Sequence, residues 1–405
     1  MRVVRATIHG SLDRWETRQN NAPQPAMQTQ VLSTVESNGY SEAVTRAVET
    51  LRAGGLIVFP TETVYGVAAN AADPQATARL RQVKQRQDGK PFTVHIGRRS
   101  DAGRYVRSAS PLVRRLARKA WPGPLTIVCE ESAPQQSQIA RACPPAQLSE
   151  IFHEQTVGLR CPDHVVAERL LSEAQVPVVA SSANRAGRPP PSDLQEALRD
   201  LDGEVELALD AGRTRLTGPS TVVEVHGNQW TITRKGIVDE RTLRRMATTE
   251  ILFVCTGNSC RSPLAEHLFR HKLSQRLGLK PDELAAQGYL FSSAGVAAFS
   301  GGRMSDGSLA ELARRGIDGG AHYSQPLTIE LLQRCERVYV MAPAHREAVL
   351  DVLPSLAGRV ELLDPSGPIE DPLGGDAEEY RRCAERIERL VEQRVEEFVH
   401  EDCDW

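Results

Sequence analysis

The chain has 405 residues, 40% of them hydrophobic and 25% charged, with a formal net charge of -3 at pH 7. That length exceeds one ordinary core and predicts two domains of roughly 150–200 residues each, with the composition of a soluble globular protein. The charge argues against a strongly basic nucleic-acid binder but leaves room for local basic patches, and no apolar run approaches the roughly 18 residues of a membrane span. Cys129, Cys143, Cys161, Cys255, Cys260, Cys335, Cys383 and Cys403 show no CxxC pair and no metal-ligand spacing. A disulfide framework and a zinc site are therefore not expected, and a reducing cytoplasm without membrane attachment is.

Residues 1–37 are polar and lack the apolar centre of a secretory signal, so they read as a weakly ordered lead-in, with Met27 as an alternative start. A first domain is expected over residues 38–240. Its apolar runs at 56–59, 125–129, 176–180 and 221–225 read as strands, and 42–53 and 112–120 read as helices. The stretch 238–250 is polar, with Asp239, Glu240, Arg241, Arg244 and Arg245, and predicts a linker over 241–249. A second domain follows over 250–405. Strand-like runs at 251–255, 289–293, 337–341 and 359–363 alternate there with helical segments, which predicts a parallel α/β sheet. The chain closes on an amphipathic helix with Tyr380, Ile387, Leu390, Val391, Val395 and Phe398 on one stripe, begun by Asp376 and Glu379 as a capping box.

In the first domain, Thr61, Thr63 and Tyr65 follow an apolar strand, Lys84, Arg86, Lys90 and His95 gather positive charge, and Ser181, Ser182 and Asn184 follow another strand. Hydroxyls at strand ends beside cations suit a nucleotide, although neither a P-loop nor a GxGxxG pattern is present. A solvated basic helix face with two polar turns accounts for the same residues.

The second domain carries a sharper signal. A strand ending at Val254 runs into Cys255, Thr256, Gly257, Asn258, Ser259, Cys260, Arg261, Ser262 and Pro263, and then into a helix over 264–272. A loop joining strand to helix turns successive backbone N–H groups inward as an anion nest, and its positive field favours a thiolate on Cys255. Arg261 is spaced to grip two phosphate oxygens, Ser262 to support the thiolate or cap the helix, and Pro263 to start it. Asp371, followed by Pro372, offers the acid that a leaving group needs, with Asp364 as a rival.

Together with residues 293–295, 316–318, His322, 340–341 and 371–372, this loop resembles the low-molecular-weight protein tyrosine phosphatase family over about residues 250–400. The resemblance implies Cys255 as nucleophile, Arg261 as phosphate binder, Asp371 as general acid and no cofactor. It also implies that Asn258 shapes the loop, and that Cys260 protects Cys255 through a reversible disulfide; a small buried residue is the alternative reading. Ser259 and Leu373 stand where the tyrosine-directed branch carries a bulky aliphatic and an aromatic residue, so the loop looks closer to the protein-arginine-phosphatase branch. Arsenate reductases share the fold but need further cysteines near the site, and Cys335 precedes its strand.

Residues 59–66, Lys84, Arg86, 94–96, 121–126, 157–162, 182–184, 218–222 and 234–236 closely resemble, in order, the threonylcarbamoyl-AMP synthase family of tRNA-modification enzymes. The match runs from about 41 to 237. It implies formation of threonylcarbamoyl-AMP and pyrophosphate from L-threonine, bicarbonate and ATP, with Mg²⁺ on the phosphates. Thr63, His95, Arg160 and Ser220 would hold threonine; Lys84, Arg86, Thr156, Ser182, Asn184 and Arg234 would contact ATP. Lys90, Phe92 and Pro190 depart from the family's pattern. The combined fold expected is α/β: an open twisted mixed-sheet domain, then a four-stranded parallel-sheet Rossmann-like phosphatase domain. A bifunctional enzyme follows, acting on a phosphoprotein as well, with tRNA or tRNA-modification proteins as further partners. In the alternative, the first half is a non-catalytic RNA- or nucleotide-binding adaptor and the phosphatase is the sole activity.

Overall fold

The computed structural model describes residues 28–35, 39–86, 89, 91–403 and 405. In the first domain eleven strands among these residues form one mixed sheet. They are β1 Gln30–Ser33, β2 Ile57–Phe59, β3 Gly66–Asn70, β4 Thr93–His95, β5 Leu125–Glu130, β6 Phe152–His153, β7 Thr156–Arg160, β8 Val178–Ser182, β9 Leu207–Asp210, β10 Thr221–His226 and β11 Gln229–Arg234. Their order is β1-β9-β2-β3-β8-β4-β7-β5-β10-β11, with β6 paired to β7. Because side chains alternate across a strand, Val58 enters one core while Ile57 and Phe59 enter the other. Helices Tyr40–Arg52 and Val165–Ala174 cover the Ile57 face through Val44, Leu51, Val166 and Leu170. Helices Pro74–Lys84 and Pro111–Ala120 cover the other through Leu80, Leu112 and Leu116.

The second sheet is four-stranded and wholly parallel, in the order β13-β12-β14-β15, with β12 Thr249–Cys255, β13 Tyr289–Gly295, β14 Arg337–Val340 and β15 Val360–Leu362. Ile251 and Phe253 of β12 face helices Arg261–Leu277 and Ala377–Cys403, while Leu252 and Val254 face helices Ile329–Arg334 and Pro343–Val352. The chain leaves β12 first to one side and later returns on the other. The carboxyl end of β12 is therefore the switch point at which open α/β sheets bind ligands, and Cys255 sits there.

Two boundaries differ from the sequence expectation. Gln30–Ser33 is a paired strand on β9, so the domain starts inside the expected lead-in of 1–37, most of which, like Lys90, lies outside the described residues. The expected linker 241–249 is largely the helix Glu240–Met246, whose Leu243 is fully buried. Leu243, with the half-buried Met246, docks a short helix whose remaining charges face water.

That helix belongs to a tight junction. Arg115, fully buried, donates from Nη1 to the carbonyls of Ala247 at 2.8 Å and Gln287 at 3.1 Å, and its guanidinium lies 4.4 Å from the centre of the Tyr289 ring. Arg118 and Lys119 both reach Glu336, at 3.2 and 2.6 Å. The Trp405 ring ends beside Gly103 of the first domain. Gly288, at φ +80°, has no room for a Cβ between Arg115 and the Ala247 carbonyl.

Candidate active sites

In the first domain the ends of β4, β7, β8 and β11 and the turns after β2 and β8 enclose a cavity of about 370 Å³. Arg86, His95, Arg160, Ser182, Asn184, Ser220 and Arg234 line it, as does Pro190. Arg160 is held from behind: Nη2 donates to Glu62 Oε1 at 3.1 Å and Thr63 Oγ1 at 2.5 Å. Its Nε is buried without a partner among the described residues, a donor left over for a ligand. Arg234 donates to the carbonyl and the hydroxyl of Ser220, each at 2.9 Å from Nη2, and Ser220 Oγ lies 3.0 Å from Thr126 Oγ1. Arg86 rests over the buried Phe92 ring at 5.0 Å.

Burial and then the Arg160 charge lower the pKa of His95 to about 3, so its ring is neutral. Nδ1 lies 3.1 Å from the Thr93 carbonyl, which places the proton on Nδ1 and leaves Nε2 to accept. Lys84 does not lie on a solvated face. It is buried, with Nζ 2.5 Å from the Ser182 carbonyl, bonded to the Asn184 carbonyl and 3.3 Å from Asn184 Oδ1. Burial followed by the Arg86 charge lowers its pKa to about 8, against three oxygen acceptors that favour the ammonium. Lys84 thus pins the turn that presents Ser182 and Asn184.

Thr156 opens β7 and donates to the His153 carbonyl at 2.7 Å, at the other end of the strand from Arg160. Sequence reasoning missed three residues on the wall, Thr126, Arg188 and Thr93, and the buried Glu62 behind it. Thr126 and Glu62 lie inside segments already singled out, whereas Arg188 sits in a turn with no signal of its own.

In the second domain, loop 255–261 closes on the Cys255 sulfur. The Asn258 amide donates to Sγ at 3.2 Å and Ser262 Oγ lies 3.0 Å from it. Asn258 takes a left-handed φ of 54°, held by its side chain, which donates to Ser262 Oγ at 3.0 Å and accepts from the Gln325 amide at 2.9 Å. His322 Nε2 stands 2.8 Å from the Asn258 carbonyl. The amides of Val296 and Ala297 donate to the carbonyls of Cys255 and Thr256, so the loop after β13 braces the nest.

Arg261, buried at the start of its helix, spans the mouth. Nη1 donates to the Ile369 carbonyl at 3.0 Å, and Nη2 donates to Thr256 Oγ1 at 3.3 Å and Asp371 Oδ2 at 2.5 Å. Asp371 therefore sits at the site, while Asp364 is turned away to Arg386 at 2.7 Å. Cys260 is buried 3.8 Å from the Tyr380 hydroxyl. Leu373, two residues past Asp371, is exposed, as is Phe299 on the bracing loop, the latter 90% exposed and not anticipated from sequence. Cys335 lies in the opposite core, behind β12.

Residues 49–236 match the family model described as "Telomere recombination", and residues 250–403 match that of the low molecular weight phosphotyrosine protein phosphatases. A threonylcarbamoyl-AMP synthase of Pyrococcus abyssi is 33% identical over 175 residues, covering 43% of this chain and 48% of that one. A putative threonylcarbamoyl-AMP synthase of Mycobacterium tuberculosis H37Rv is 34% identical over 210 residues, covering 52% of this chain and 91% of that one. The solved YwlE arginine phosphatase of Geobacillus stearothermophilus is 31% identical, covering 38% of this chain and 94% of that one, with a TM-score of 0.33. The chain spans about half the length of the Pyrococcus abyssi and Bacillus subtilis relatives, 48% and 49%.

Proposed function

Because the chain belongs to the threonylcarbamoyl-AMP synthase family by its first domain and carries a low-molecular-weight phosphatase domain in its second, we propose that it is a bifunctional enzyme. The first domain makes threonylcarbamoyl-AMP from L-threonine, bicarbonate and ATP. The observation that carries this reading is a cavity lined by four guanidinium groups, Arg86, Arg160, Arg188 and Arg234, together with hydroxyls and a neutral imidazole. Arg160, His95 and Ser220 lie together on the wall, with Thr63 behind Arg160, and suit an amino acid's carboxylate, hydroxyl and amine. Arg86, Ser182 and Asn184 lie on the other turns and suit a nucleotide, with Arg234 between the two groups.

Threonine's amine takes the carboxyl of bicarbonate with loss of water. The carbamate oxygen then attacks the α-phosphorus as the bond to pyrophosphate breaks. The residues supply position and charge neutralisation. The cavity wall offers hydroxyl, amide and guanidinium groups but no carboxylate, and no cluster of three His, Cys, Asp or Glu suited to a metal occurs among the described residues. A Mg²⁺ brought by ATP would neutralise phosphate charge there, and the hydroxyl and amide oxygens of Ser182 and Asn184 are the wall groups that could help to hold it. Purified chain that releases no pyrophosphate with all three substrates would refute this half. The adaptor reading loses its main support with Lys84 buried beneath the cavity.

The second domain hydrolyses a phosphoprotein. Cys255 Sγ attacks phosphorus, the bond to the leaving group breaks, and Asp371 gives that group its proton; water then cleaves the cysteinyl-phosphate. An arriving phosphoryl group competes for Arg261 Nη2 and so frees Asp371 to turn to the leaving atom. Ser259 and Leu373 favour phosphoarginine over phosphotyrosine. Cys255→Ser should abolish aryl phosphate hydrolysis while pyrophosphate release continues, and the intact chain should prefer a phosphoarginine peptide. Turnover that survives Cys255→Ser would overturn the assignment.

A further inference from the structure

His345 sits in the first turn of helix Pro343–Val352, only 5% exposed, with Nε2 2.9 Å from Thr256 Oγ1. Arg261 Nη2 reaches the same oxygen at 3.3 Å. A guanidinium can only donate, so one lone pair of the threonine oxygen is already taken. The other imidazole nitrogen, Nδ1, is buried with no partner among the described residues. Were Nε2 the acceptor of the threonine hydrogen, the ring proton would sit on Nδ1 as an orphaned buried N–H, the rarer and costlier kind of orphan. With the proton on Nε2, only a lone pair is orphaned, and both lone pairs of Thr256 Oγ1 are filled by donors. The threonine hydrogen then has to find its acceptor elsewhere. Thr256 is exposed at the loop mouth, and Arg261 Nη2 links its hydroxyl to Asp371. Burial, then the neighbouring Arg261 charge, keep His345 neutral with a pKa of about 4, opposed by Asp371.

We propose that His345 is a positioning residue for phosphoryl transfer at Cys255: donating from Nε2, it turns the Thr256 hydroxyl, beside Arg261, into a donor for a phosphoryl oxygen. This rests on the phosphatase reading of the domain. The contact fixes a hydroxyl rotor that would otherwise be free, and it adds one directed hydrogen bond to the phosphate nest without touching substrate itself.

The test is a double-mutant cycle in the full chain with His345→Ala, Thr256→Val and both together. Two quantities are read: kcat/KM for p-nitrophenyl phosphate, and the affinity for orthovanadate by calorimetry. Each single variant should lose a factor of about ten in both quantities, and the pair should lose no more than either alone. His345→Gln, which keeps a donor, should recover part of the loss, and pyrophosphate release by the first domain should be unchanged. Losses that multiply to about a hundredfold in the double variant would overturn the proposal, because His345 would then act independently of Thr256. So would a His345→Gln variant as impaired as His345→Ala. If the wild-type chain fails to hydrolyse the ester and Cys255→Ser changes nothing, the phosphatase reading falls, while the vanadate cycle still decides the role of His345.

Discussion

Arg115 offers the most direct test of how firmly the two domains are joined. Arg115→Met keeps the aliphatic stem and removes the charge and its donors. Two charge-assisted hydrogen bonds, to Ala247 and Gln287, contribute roughly 1.5–3 kcal/mol each. The Tyr289 ring 4.4 Å away adds about 1–2 kcal/mol. Desolvating a fully buried guanidinium costs several kcal/mol, and removing it leaves both carbonyls unpaired. The balance is a loss of about 3 kcal/mol, concentrated at the junction. Urea unfolding can be followed by tryptophan fluorescence in a Trp405→Phe background, which keeps Trp121 and Trp230 of the first domain, and by loss of aryl phosphatase turnover in the second. Wild-type chain should lose both signals in one coincident transition, and Arg115→Met should separate them. Coincident transitions within about 0.5 kcal/mol of wild type would refute this account of the junction.

Stability should fall with acid. His95 and His345 have folded pKa values of about 3 and 4, below the ordinary 6.5, so the unfolded chain binds their protons first. Their contribution is present above pH 6.5 and is lost as pH falls toward 4, by up to about 1.4 kcal/mol per pH unit for each histidine. Urea unfolding at pH 7.5 and pH 5 measures the loss, and equal stabilities would contradict it. Gly307→Ala should cost about 2 kcal/mol, since a Cβ there would lie 2.5 Å from the Tyr380 ring, and a smaller residue at 380 should restore most of it. Glu62→Gln removes the negative charge that faces the buried Arg160 at 3.1 Å. It should cost about 3 kcal/mol and weaken threonine binding in calorimetry, with aryl phosphatase kcat/KM unaltered.

Much of the fold was legible because strands buried on both faces are continuous apolar runs. Residues 251–255 and 125–129 declared themselves this way, and Asp376 with Glu379 does cap the last helix, through bonds of 2.8 and 2.9 Å. Gln30–Ser33 escaped because an edge strand buries little and carries no such run. Helix Glu240–Met246 escaped because its Arg244 and Arg245 outweigh its docking residues, the buried Leu243 and the half-buried Met246. At the sites, the phosphate loop was readable since its residues are contiguous, whereas the cavity wall is assembled from the ends of four strands and two turns. Strand polarity, which sets Arg160 and Thr156 at opposite ends of β7, is likewise invisible in a list of motifs. His345 carries no local signal at all; its meaning arises only where its helix meets Thr256.

The junction has a consequence for how such a chain can be divided or recombined. A fragment beginning near residue 245 would keep Gly288 and Tyr289 but lose Arg115, leaving an aromatic face and two carbonyls in water where a guanidinium had been. Conversely, a phosphatase domain grafted on from elsewhere would have to bring a glycine at the place of Gly288, since any side chain there collides with Arg115. The two halves are thus fitted to each other as a lock is to its key, and exchange of either one in evolution or engineering carries the other's contact residues with it.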